Sequence, residues 1–210
     1  MCIKMYEEML QYVKNCLVTN NGDEGTKVSP FPFRKRSDHI RRVFMWAQRL
    51  VEDIPSINRK AVLVAAIFHD VGYSVSSDNS KHAKNSAAIC KKYLAENGYD
   101  TDFINLVVYL VENHSNKRLM REEGTPLELI LLMEADLLDE TGALSIIWDC
   151  MAMGMQEVQT YEKAYNHILK YSCTQLNENP MITTKAKEFW RKKQELLCEF
   201  VEHLSFDLGL

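Results

Sequence analysis

The sequence predicts an all-α fold on two observations. Five prolines and eight glycines among 210 residues leave long uninterrupted stretches. Within them, apolar residues recur at three- and four-residue intervals, the period that lines one face of a helix. With 46% hydrophobic residues, a chain of this length buries a sizeable core and suits one large domain, 1–210, better than two small ones.

Taken in order, the first helix covers about residues 3–18, with Met5, Met9, Val13 and Leu17 on one face, and the polar run TNNGDEGTKVSPFPF ends it. Ser37 is placed to cap a second helix in which His39, Val43, Trp46 and Leu50 share a stripe. Residues 58–70 form a helix that is apolar nearly all round, AVLVAAIF, which a globular protein places at its centre. Gly72 then releases the chain into the polar loop SVSSDNSK. A helix from Lys81 to Asn97 stops at Gly98, read as a left-handed cap. Asp100 or Thr101 starts another, with Phe103, Leu106, Val107 and Leu110 inward. TPLELILLMEADLLDE carries the strongest start signal, with Thr125 as cap, Pro126 in the first turn and Glu128 completing a capping box. Gly142 interrupts it, a short helix follows to about Met153, and longer ones cover about 156–172 and 183–204. There is no internal repeat and no low-complexity tract.

Composition excludes several functions. Twenty-five Lys and Arg against 29 Asp and Glu give a formal charge of −4 with no basic block, so extended nucleic acid is not an expected partner. MCIKMYEEMLQYVKNCLV carries Glu7 and Glu8 inside its apolar pattern and does not read as a signal peptide. No segment approaches ~20 uncharged apolar residues, so no membrane span is expected. Six dispersed cysteines without CxxC spacing suggest reduced cytoplasmic thiols rather than a zinc-thiolate site. Oligomeric state has no signature.

The chemistry lies in polar residues on apolar faces. His39 stands in its helix's stripe, His69 and Asp70 close the central helix, His82 opens the next and His114 closes the one after. Asp136 interrupts LILLMEADLL on the side of Leu129, Leu132 and Met133. A carboxylate among leucines costs several kcal/mol unless it is paired or metal-bound. One histidine on an apolar face is more often a hydrogen-bonded core residue than a ligand, His69-Asp70 alone is compatible with a helix end, and Asp136 alone with an Arg42 ion pair. The ordered set on separate helices points instead to a shared divalent cation.

At these residues the chain resembles the HD superfamily of metal-dependent phosphohydrolases, whose motif is H…HD…D on a helical bundle. SDHIRRV supplies His39, AAIFHDVGYS supplies His69 and Asp70, and EADLLDETGAL supplies Asp136. NHILKY and MITTKAKEFWRKKQELLCEFVEHL are similar to the closing helices of small bacterial members. The resemblance implies a motif-bearing core at about 37–150, closing helices at about 156–204 and a metal site at the centre of the bundle. The ion would be manganese, iron, nickel, cobalt, zinc or magnesium. In some subfamilies two further histidines hold a second metal, and His82 and His114 fall in that order. They are either its ligands, with Asp70 bridging, or pocket residues that contact phosphate. Glu134 stands where the family often has an aspartate, and Tyr73 replaces a lysine that often faces the substrate.

The implied activity is hydrolysis of a phosphate ester or anhydride, in a nucleotide or a related small phosphorylated metabolite. The metal would lower the pKa of a bound water, Asp70 would orient it, and His114 or His82 would protonate the leaving oxygen. Arg42, Tyr73, Lys117 and Arg118 are candidates for substrate contact, and Asp139 for an outer partner of the ligand set. The alternative is a regulatory protein that binds a nucleotide without efficient turnover.

Overall fold

The computed structural model describes residues 2–19, 33–76 and 78–210, and every regular element among them is helical. The run expected to end the first helix lies mainly at 20–32, outside the described residues. The chain divides into two compact units, 1–136 and 137–210.

The first unit is built around its most apolar helix. In order it comprises α1 (Cys2–Thr19), α2 (Arg36–Val51), α3 (Arg59–Phe68), a 3-10 turn (Val71–Ser74), α4 (His82–Glu96), α5 (Thr101–Asn113), a second 3-10 turn (Lys117–Arg121) and α6 (Leu127–Leu138), which runs two residues past the boundary. Helix α3 packs against α1, α2, α4 and α5. Its Ala61, Val62, Val64, Ala65, Ala66, Ile67 and Phe68 are all wholly buried. Burial of each Val, Ile or Phe is worth about 1.5–3 kcal/mol, so the C-terminal end of α3 is a rigid mount. The Asn58 side chain caps its other end, accepting from Ala61 N at 3.0 Å. Met9, Val13 and Leu17 form the buried stripe of α1, as the spacing predicts.

Several local expectations are corrected. Ser37 is not the cap of α2: the helix starts earlier because His39 N already bonds Lys35 O at 3.2 Å. Trp46 is only half-buried, while Ile40, Phe44 and Ala47 join Val43 and Leu50 inside. The capping box at α6 does not form. Thr125 Oγ1 donates to Leu119 O at 2.7 Å, and Glu128 Oε1 accepts from Asn58 N at 2.9 Å, so a tertiary contact with the start of α3 replaces the local one. The expected left-handed cap of α4 is present, with Gly98 at φ +72° and Tyr99 N bonded to Leu94 O at 3.1 Å.

Gly72 does more than release the chain. It sits in the first 3-10 turn and donates its N–H to Ser86 Oγ at 2.8 Å. A Cβ at this position would lie 2.1 Å from His82 O and 2.5 Å from Ser86 N. Only glycine lets the segment after Asp70 lie on the first turn of α4, where His82 stands.

The second unit holds α7 (Ala143–Gly154), α8 (Tyr161–Ile168), a π-helical turn (Leu169–Cys173), α9 (Thr174–Leu176) and α10 (Thr184–Leu208). Helix α10 packs against α7, α8 and α9 through buried Ala186, Trp190 and Leu197. Helix α8 begins five residues later than the spacing predicts because Thr160 caps it, accepting from Lys163 N at 3.2 Å. No helix among the described residues is long and apolar enough to cross a membrane.

Replacing Gly72 with alanine forces either the turn or α4 to move. Overpacking of this kind costs about 1–3 kcal/mol. Urea unfolding of Gly72→Ala is expected to show a loss in that range, and an unchanged midpoint would contradict the close approach.

Candidate metal centre

Six ligand-type side chains converge within the first unit. His39 comes from α2, His69 caps the C-terminus of α3 with Asp70 directly after it, His82 opens α4, His114 caps the C-terminus of α5, and Asp136 lies in the last turn of α6. The four histidines and Asp70 are buried, His69 completely, while the Asp136 side chain keeps 22% of its exposure.

Three of the imidazoles are oriented by one repeated device. His69 Nδ1 lies 2.9 Å from Ala66 O, His114 Nδ1 2.7 Å from Val111 O and His82 Nδ1 2.6 Å from Asn79 O, each bond reaching three residues back. A carbonyl only accepts, so each Nδ1 carries the proton and donates it. For His69 and His114 the acceptor is one of the last-turn carbonyls that a helix end leaves without an amide partner. In the neutral ring, Nε2 is then a lone pair aimed into the site.

The Nε2 atoms face one another in two lobes. In the first, His39 Nε2 and His69 Nε2 are 3.2 Å apart. Asp136 Oδ1 lies 3.4 Å from His39 and 3.9 Å from His69, and Asp70 Oδ2 lies 3.5 and 3.6 Å from the same two nitrogens. In the second, His82 Nε2 and His114 Nε2 are 3.2 Å apart, and Asp70 Oδ1 is 3.5 Å from each. Asp70 thus turns one oxygen to each lobe.

Without a cation such an array is unfavourable. With Nδ1–H donated to a carbonyl, His82 and His114 each turn only Nε2 towards the other, beside the Asp70 carboxylate. Burial draws His69 down to about 4 against the opposing fields of Asp70 and Asp136, so near neutral pH its Nε2 lacks a proton. Two nitrogens about 2.1 Å from a common ion lie about 3.0–3.4 Å apart at the usual ligand angles, which the 3.2 Å separations match. The donors therefore fit divalent metal ions, and His39, His69 and Asp136 form one group able to hold an ion and His69, Asp70 and His114 another.

Two cations flank the carboxylates. Arg36 Nη1 donates to Asp70 Oδ2 at 2.7 Å, and Lys117 Nζ donates to Asp136 Oδ2 at 2.6 Å. Burial would raise the Asp70 carboxyl, but the surrounding imidazoles, His69 foremost, together with Arg36 hold it well below the usual carboxylate range. Burial acts likewise on Asp136, and Lys117 with His39 reverses it. Both carboxylates are therefore ionised and already charge-balanced, so each divalent ion added leaves the pocket net positive and attractive to a phosphate.

The remaining candidates divide. Lys117 and Tyr73 belong to the cluster, whereas Arg118 is exposed on the second 3-10 turn and Arg42 is half-buried three residues after His39. Asp139 and Glu134 are buried, Asp139 in the second unit. Sequence reasoning missed Arg36, whose signal was its position three residues before His39 on the same helical face.

The arrangement and the chain's relatives agree. The family model for the HD domain matches residues 36–141, half of the chain, and spans all six clustered residues. The chain belongs to the HD domain family. Its fold resembles that of an HD-superfamily hydrolase from Bacillus thuringiensis at a TM-score of 0.70 and 21% identity, covering 100% of this chain and 99% of that one. A predicted HD-superfamily hydrolase from an uncultured Thermotogales bacterium gives 0.67 at 19% identity over 97% and 92%. Bacillus subtilis YpgQ in complex with ADP gives 0.66 at 20% identity over 98% and 95%. Comparison with curated proteins finds no match. The HD dipeptide of this member is His69-Asp70, and its aspartate turns one oxygen to each lobe.

The His69 shift has a consequence for acid stability. In the unfolded chain His69 takes up its proton near pH 6.5, in the folded, metal-free chain only near 4. Its contribution to stability is therefore complete above about 6.5 and is lost as pH falls towards about 4, at up to ~1.4 kcal/mol per pH unit. Urea unfolding in chelator at several pH values is expected to show this slope in the wild type and its reduction in His69→Asn. Parallel pH dependence of the two proteins would contradict a buried neutral imidazole.

Proposed function

We propose that this HD-domain protein is a metal-dependent phosphohydrolase acting on a phosphate ester or anhydride, with a nucleotide as the substrate class. One observation carries the reading: the Asp70 carboxylate lies between two pairs of imidazole Nε2 atoms, one oxygen to each. His39, His69, Asp70 and Asp136 would hold one divalent ion, and His82, His114 and Asp70 a second. Bound there, a divalent ion supplies a Lewis acid that acidifies a ligand water and polarises a phosphoryl oxygen.

The chain's own groups do the rest. Asp70 and Asp136, kept ionised by Arg36 and Lys117, orient a water by accepting its hydrogen bonds. Lys117 makes an ion pair with Asp136 and keeps 31% of its side-chain exposure, so its ammonium would be within reach of an incoming phosphate oxygen. His82 and His114 each have only Nε2 left for the site, so ligation and leaving-group protonation exclude one another at a given moment. With one ion bound they would serve as proton donors, and with two as ligands. The ADP bound by YpgQ supports the nucleotide class by analogy of fold. The thiols of Cys90, Cys150, Cys173 and Cys198 support a cytoplasmic setting.

Phosphate release is to be measured over nucleotides, dinucleoside polyphosphates and cyclic nucleotides with added manganese, nickel or cobalt. The expected outcome is turnover that chelator abolishes and metal restores, and that Asp70→Asn lowers by at least about 100-fold. Nucleotide-induced thermal stabilisation without turnover on any substrate would overturn hydrolysis in favour of a regulatory nucleotide-binding role.

A further inference from the structure

Tyr73 is the residue of the HD segment that the ligand set does not use, and its surroundings are specific. Its ring stacks on the His82 imidazole with centroids 4.7 Å apart and planes 14° from parallel. Its hydroxyl donates to Asn79 Oδ1 at 2.8 Å, and the backbone carbonyl of the same Asn79 accepts from His82 Nδ1 at 2.6 Å. Tyr73, Asn79 and His82 therefore form a closed circuit: one contact sets the plane of the imidazole, and the other fixes its rotation within that plane. The Arg36 guanidinium, partner of Asp70, lies 4.1 Å from the centre of the same tyrosine ring. Gly72, next to Tyr73, holds the circuit against the start of α4 through its bond to Ser86.

The other histidines with an assigned Nδ1 bond, His69 and His114, are fixed within helix C-termini. His82 is different. Its Nδ1 partner, Asn79, lies in the turn segment before α4 rather than in a helix, so its own helix cannot hold the ring. An imidazole carried by a helix's first residue keeps two free torsions, and a flat aromatic face is the element that restricts them.

We propose that Tyr73 is a positioning residue for the second lobe: its ring holds the His82 imidazole in the plane that aims Nε2 at Asp70 Oδ1 and His114 Nε2. The inference rests on the two-lobe reading of the cluster and adds to it the residue that makes the second position form. Loss of the aromatic face weakens the second ion selectively, because the ring stacks on the His82 imidazole itself, whereas Tyr73 reaches the first lobe through Arg36 and through its backbone N–H bond to Asp70 O at 3.2 Å, which a side-chain substitution leaves in place. Partners that orient a ligating histidine typically account for about 10–100-fold in metal affinity.

The test is titration of the metal-free full chain with Mn2+, counting free ion by electron paramagnetic resonance, for the wild type, Tyr73→Phe and Tyr73→Leu. Leucine keeps the bulk but has no aromatic face, which guards against simple loss of folding, and circular dichroism verifies the fold of each variant. The wild type is expected to bind two ions per chain. Tyr73→Leu is expected to weaken the second by about tenfold or more while leaving the first within a few-fold, and Tyr73→Phe to retain both. Equal affinity of Tyr73→Leu and wild type for the second ion would overturn the role of Tyr73 and leave the two-lobe reading standing. A Tyr73→Phe variant as weak as Tyr73→Leu would overturn the assignment to the ring face. A wild type that binds one ion would overturn the two-lobe reading, and the Tyr73 role with it.

Discussion

Everything distinctive in this protein follows from placing buried imidazole lone pairs edge to edge around one carboxylate. Backbone carbonyls take the Nδ1 protons of His69, His82 and His114, so each of these rings turns only Nε2 to a neighbouring imidazole, 3.2 Å away. In water such groups would separate or take up protons. Here the buried C-terminal part of α3 and the helix ends around it prevent separation, and desolvation opposes protonation of His69. A divalent cation held there would resolve the conflict.

The architecture serves that arrangement. Helices α3 and α5 end side by side, each finishing on a histidine that satisfies a last-turn carbonyl of its own helix. The chain then leaves α3 through Asp70 and the 3-10 turn, and Gly72 allows this turn to press onto α4 and bring His82 to the opposite side of the carboxylate. Adjacent residues in sequence thereby serve one site: His69 presents a single Nε2, and Asp70 turns one oxygen to each lobe. Arg36 and Lys117 keep the carboxylates ionised whether or not a cation is present, so the site does not depend on metal for its charge balance. That leaves the imidazole geometry, and not a surplus of negative charge, as the feature that calls for a metal.

The helical class, the central helix and the Gly98 cap were legible because periodicity and left-handed glycine are local properties. His39, His69, Asp70 and Asp136 were legible as a set because each interrupts an apolar face, an expense a sequence shows without a structure. What escaped was non-local. Glu128 read as the partner of Thr125 three residues before it, whereas its acceptor oxygen goes to Asn58, seventy residues earlier. Arg36 escaped because its carboxylate partner lies thirty-four residues away. Tyr73 stood out against its family, but only the packed turn shows that it stacks on His82.

The most direct test is anomalous X-ray diffraction from crystals of the full chain grown with manganese. Two anomalous peaks are predicted, one on each side of the Asp70 carboxylate, the first between His39, His69 and Asp136 and the second between His82 and His114. No peak at either position at millimolar manganese, with the imidazole pairs rotated apart or bridged by protons, would contradict the account.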